Sequence, residues 1–150
     1  MGLNIFQATL VWIIIIGWLT LRFRAKIARL FLRLHWPRWV LYFVSGFLFV
    51  MVEEYINCPP NGCSIIPSTW WVFLGLLIVH FTILKIFRVK RFYLAVLIYG
   101  LQGLIIELFF GASRTLIWSS ILTTAIIIPW TVVTYGIMVL VPVTILQSRE

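Results

Sequence analysis

Long apolar runs with almost no charge inside them restrict this chain more than any other feature. "LVWIIIIGWLTL" lies within a first run from Ile5 to Leu21, and four more follow, from Trp39 to about Tyr55, Trp70 to about Leu84, Phe92 to about Phe110 and Leu116 to Leu146. A helix crosses a hydrocarbon core of about 30 Å with about 20 such residues, and the runs are continuous in Leu, Ile, Val and Phe rather than alternating as barrel strands do. The expected fold is therefore all-α: one integral membrane helical bundle of about five transmembrane helices, occupying residues 1–150 as a single polytopic domain. Composition agrees, with 63% hydrophobic and 11% charged residues and a mean hydropathy of +1.09. Soluble domains carry roughly 25% charged residues. The first run lacks the basic flank and small-residue cleavage site of a signal peptide, so it is expected to stay as a span. The last exceeds one span and holds Pro129 and Pro142, which predicts a tilted, kinked or broken helix.

The basic residues are segregated. Arg22, Arg24, Lys26, Arg29, Arg33 and Arg38 lie between the first two runs, Lys85, Arg88, Lys90 and Arg91 between the third and fourth, and Arg149 at the tail, leaving Arg114 alone among the other connections. The positive-inside rule then puts the N-terminus outside and the C-terminus in the cytoplasm, across the plasma (inner) membrane. The net charge of +8 follows from that topology, so no nucleic-acid partner is expected. Phe23, Ile27, Leu30, Phe31 and Leu34 recur at helical spacing beside Arg22, Lys26, Arg29 and Arg33. That pattern predicts a separate amphipathic basic helix between helices 1 and 2, with residues 22–38 on anionic inner-leaflet lipid or, alternatively, docked on a partner protein.

Helical rise gives depth. Glu53 stands about 22 Å beyond Arg38 and Glu107 about 24 Å beyond Arg91, so Glu53, Glu54 and Glu107 share one level somewhat below the outer boundary. Carboxylates at such depth face a bundle interior, paired or protonated. Glu107 shares a face with Gly100, Gly103 and Gly111, residues that let helices approach closely. Arg114, two turns further on, is the natural counter-ion. Ser120, Thr124, Thr131 and Tyr135, with Trp130 and Thr134 beside them, form a polar face on the last helix that either packs or lines a path to the glutamates.

Cys58 and Cys63 in "CPPNGC" flank a turn of two prolines and Asn-Gly, which predicts a small disulfide staple. A redox pair would need a second cysteine pair or a quinone, and the sequence has only two cysteines. His80 and His35 lie near the inner boundary without the spacing of a haem site, and three glutamates alone make a weak metal site, so no cofactor or metal is expected.

Three functions fit these residues. Glu107 as proton donor, Glu53 or Glu54 as acceptor, and Trp130 and Tyr135 as cation-stabilising walls would carry out acid–base chemistry on a lipid-like or isoprenoid-like substrate. Alternatively, a small bundle with glycine faces suits a non-catalytic subunit or assembly factor, its glutamate paired with a membrane-protein partner or another copy of the chain. The third is proton or cation transport through an oligomer.

Overall fold

The structure, a computed structural model, describes residues 10–56, 70–109 and 120–148. Cys58, Cys63 and Arg114, and with them the expected staple and counter-ion, lie outside the described residues. Among the described residues every regular element is helical: a π-helical segment Val11–Gly17, then α1 (Trp18–Leu32), α2 (Arg38–Ile56), α3 (Trp70–Ile86), α4 (Phe92–Phe109), α5 (Ile121–Met138) and α6 (Leu140–Gln147). Helices α2, α4 and α5 are long and apolar enough to cross a membrane, and α3 is a shorter apolar helix.

The expected separate amphipathic helix is corrected. Gly17 is in right-handed helical conformation (φ −62°, ψ −47°), so the apolar π-helical segment passes into α1 without a break, and the basic stretch is the second half of that same helix. Nothing between Trp18 and Leu32 is a proline or glycine that would stop it. The helix ends where His35 turns left-handed (φ 55°) ahead of Pro37. Its apolar stripe is also not wholly a lipid face: Ile27, Ala28, Phe31 and Leu32 pack with Leu41 of α2 and Val141 and Ile145 of α6. Phe23, Leu30 and Leu34 remain exposed, as do Arg22, Lys26, Arg29 and Arg33.

Each long helix buries one stripe at the 3.6-residue period. On α2 it is Leu41, Tyr42, Ser45, Gly46, Val50 and Glu53; on α3, Phe73, Leu76, Leu77, His80 and Leu84. Helices α4 and α5 run antiparallel in close contact, Val96 meeting Gly136 and Gly100 meeting the backbone of Val132. A Cβ at Gly100 would overlap the Val132 carbonyl, so the glycine is what lets the two backbones touch.

The last apolar run breaks at Val139 (φ −106°, ψ 4°), not at Pro129, which sits inside α5. Pro142 has no N–H for the Met138 carbonyl and its ring crowds that carbonyl, which accounts for a break one turn earlier. Beyond it α6 buries Leu140, Val141, Pro142, Val143 and Ile145 on all sides, wedged against α1 and α2.

Candidate functional site

Glu53 comes from the buried stripe of α2 and is 8% exposed; Glu54 beside it is half-buried. Glu107, two turns beyond Tyr99 on α4, accepts a hydrogen bond at Oε1 from the Tyr135 hydroxyl of α5 at 3.0 Å. Local geometry explains that meeting. Helical side chains lean toward their own N-terminus, so on antiparallel helices Glu107 and Tyr135 lean toward each other. Gly103, one turn from Glu107, leaves the space that the Tyr135 ring fills, since any Cβ there would overlap the ring. The carboxyl groups of Glu54 and Glu107 lie within electrostatic reach of each other, and Tyr135 lies within reach of both Glu107 and Glu53. The structure therefore brings Glu107 and Glu53, from two helices, to one tyrosine, with Glu54 within reach of Glu107.

From there a column of polar aromatic groups runs through the interior. The Tyr135 ring stacks on Phe73 and neighbours Tyr99, both at 6.3 Å between centroids, and Tyr99 lies 5.1 Å from the His80 ring. His80 is fully buried. Its Nε2 is 2.9 Å from the Ala95 carbonyl oxygen and its Nδ1 is 2.6 Å from the Tyr42 hydroxyl. A carbonyl only accepts, so Nε2 carries the hydrogen; in the neutral ring Nδ1 then accepts from Tyr42. Both ring nitrogens are thus engaged, and a haem iron would have to displace one of these bonds.

Three buried polar groups are not satisfied. Tyr99 Oη, Gln102 Oε1 and Thr134 Oγ1 are buried without a hydrogen-bond partner among the described residues. Such atoms cost about 1–3 kcal/mol each when left unmade. Of the three, Tyr99 belongs to the column, between Tyr135 and His80.

The polar face expected on the last helix divides in two. Ser120 caps α5, accepting from the Thr123 N–H at 3.1 Å, and the Thr124 hydroxyl donates to the Ser120 carbonyl at 2.8 Å. These two tie their own helix end. Thr131 and Thr134 are buried with Tyr135. Trp130 is half-buried, and the rings against Tyr135 among the described residues are Phe73 and Tyr99 instead. No group of three His, Cys, Asp or Glu side chains among the described residues is arranged to hold a metal ion.

Sequence reasoning missed Tyr42, Phe73, Tyr99 and Gln102. Tyr99, Gly103 and Glu107 recur at i, i+4 and i+8, and Tyr42 and Glu53 lie three turns apart on one face, so the period was present in the sequence. An apolar crevice of about 940 Å³ opens beside the column, lined by Ile13, Gly17, Trp18, Val96, Val132 and Gly136 among others. Gly136 follows Tyr135 directly in the chain, but none of the three glutamates lines the crevice. No family model, curated protein or solved structure matches this chain.

Proposed function

We propose that the protein carries out acid–base chemistry within the membrane on a lipid-like or isoprenoid-like apolar molecule. The observation that supports this reading is the Tyr135–Glu107 hydrogen bond inside a group of three carboxylates from two helices. Glu107 gives a proton to one carbon of a double bond, leaving positive charge on the other. Tyr135, Tyr99 and Phe73 face that charge with their π-systems. Glu53 or Glu54 then takes a proton from an adjacent carbon and restores a double bond, so protons and electrons balance without a co-reactant. Tyr135 is the positioning residue for the Glu107 carboxyl group. Five segments cross the membrane in this reading, with the N-terminus outside, the C-terminus in the cytoplasm, and Arg114 as counter-ion to the cluster.

A second reading, proton transport, is favoured by a different observation: the column does not stop at the glutamates but continues through Tyr99 to His80 and Tyr42. Two measurements separate the readings. In cells that make the protein, Glu107→Gln should reduce the conversion of an apolar lipid or pigment by about 100-fold or more, the loss expected of a general acid, and Glu53→Gln should reduce it as well. Unchanged lipid and pigment profiles in both variants, at normal protein levels, would sink the catalytic reading. If proton flux into liposomes then depends on Glu107 and His80, the column is a path. If neither signal depends on these residues, the remaining role is that of a subunit in a larger membrane assembly.

A further inference from the structure

The basic end of the bundle holds a second cavity, of about 610 Å³, and four cationic residues line it. Arg38 opens α2, Lys85 lies in the last turn of α3, and Arg88 and Lys90 stand in the turn to α4. Among the described residues no carboxylate lines it, and the described glutamates belong to the opposite ends of α2 and α4. The other walls are apolar, with Trp39 and Phe81 the largest, and the Lys85 ammonium lies 5.6 Å from the centre of the Phe81 ring. Gln147 closes the cavity from α6, donating to the Val89 carbonyl at 3.4 Å.

Arg88 carries the argument furthest. Helix α3 ends in a Schellman turn, the Val89 N–H bonding the Leu84 carbonyl at 3.1 Å and the Arg88 N–H the Lys85 carbonyl at 3.4 Å. The residue between takes a left-handed conformation, φ 48°, where glycine is the usual occupant. An arginine there carries a backbone strain that glycine would avoid, so what the position supplies is the guanidinium. Membrane topology asks only for positive charge on one side, and an exposed side chain such as Arg22 meets that need on its own.

We infer that this cavity binds a phosphate-bearing anion, with the apolar wall at Trp39 and Phe81 receiving the first carbons of an attached lipid chain. Guanidinium forks and ammonium groups match phosphate oxygens, and an interfacial tryptophan matches the ester and glycerol region. The site is independent of the carboxylate cluster and stands whether or not that cluster is catalytic.

The test uses the full chain in neutral detergent, with retention of dioleoyl phosphatidic acid read by native mass spectrometry. Arg88→Gly should lose about tenfold in lipid retention, the scale of one charge-assisted contact, while its thermal midpoint stays level or rises because the left-handed position is relieved. Lys85→Gln should lose a similar factor. Arg22→Gln removes a charge from the exposed face of α1, outside this cavity, and should change retention by less than about twofold. Dioleoyl phosphatidylcholine, which lacks net charge, should not be retained. Displacement of the lipid by millimolar inorganic phosphate would assign the site to free phosphate, and failure of phosphate to compete would assign it to a lipid headgroup; either supports the anion site. Full retention in Arg88→Gly, or an equal loss in Arg22→Gln, overturns it.

Discussion

Gly103 shows how a single missing Cβ can set the chemistry of a buried pair. The Tyr135 ring occupies the space over Gly103, and its hydroxyl is thereby held at Glu107. Gly103→Ala should therefore displace the ring, lower stability by about 1–3 kcal/mol as overpacking does, and reproduce the functional loss of Tyr135→Phe. Thermal denaturation in detergent, together with the lipid or flux readout, checks both effects; full stability with full function would show that the ring is not locked. His80 is bound at both nitrogens, so His80→Phe strands the Tyr42 hydroxyl and should cost about 1–3 kcal/mol, while the Ala95 carbonyl keeps its place in the α4 ladder. Adding Tyr42→Phe removes the stranded group, so the double variant should unfold at a higher temperature than His80→Phe alone. This pair was legible in principle: helical rise puts Tyr42 about 6 Å beyond Arg38 and His80 about 7 Å from Lys85, the same depth. Tyrosine counts as an apolar residue in hydropathy and hides the pair, while glutamates at a shared depth are conspicuous by their charge.

At the scale of elements, the decisive difference between sequence and structure lies in α1. Its stripe of Ile27 and Phe31 beside exposed arginines is the pattern of a helix on a leaflet, and no local signal distinguishes lipid from protein as the surface it faces. The structure docks that stripe on Leu41, Val141 and Ile145, with Ala28 at the contact. Ala28→Leu should therefore lower the thermal midpoint, by the equivalent of about 1–3 kcal/mol, whereas Ala25→Leu on the exposed face should leave it nearly unchanged. Equal effects at the two positions would return the helix to the leaflet. The two prolines of the last run teach the same lesson. Both lack a donor, yet the helix continues through Pro129 and breaks only before Pro142, where breaking lets α6 bury five residues among α1 and α2. Local chemistry marks two weak points, and tertiary packing selects one. Because Pro129 is exposed and gains nothing from a bend, Pro129→Ala should restore a donor for the Ala125 carbonyl and raise stability by up to about 3 kcal/mol without loss of the Tyr135–Glu107 contact.

For the whole molecule, charge segregation and interior polarity point along one axis. The basic turns at residues 33–38 and 85–91 lie at one end of α2, α3 and α4, and the glutamates lie towards the other end of α2 and α4, with the column between. If the positive-inside rule governs insertion, the carboxylate cluster belongs to the outer half and the phosphate cavity to the cytoplasmic face, so that the molecule meets two aqueous phases with opposite charge. This arrangement predicts a labelling pattern. In a background carrying Cys58→Ser and Cys63→Ser, a cysteine placed at Trp36 or Phe87, both exposed, should react with a membrane-impermeant maleimide only after the cells are permeabilised, whereas one placed at Gly62 should react in intact cells. Reaction of all three sites in intact cells would remove the crossings between them. The reverse pattern would invert the bundle, placing the glutamates on the cytoplasmic side and the cationic cavity outside. Under that inversion the basic turns would no longer lie on the anionic leaflet, and the charge distribution of the sequence would have no topological explanation. The labelling result thus decides whether Arg38, Lys85, Arg88 and Lys90 serve insertion as well as binding.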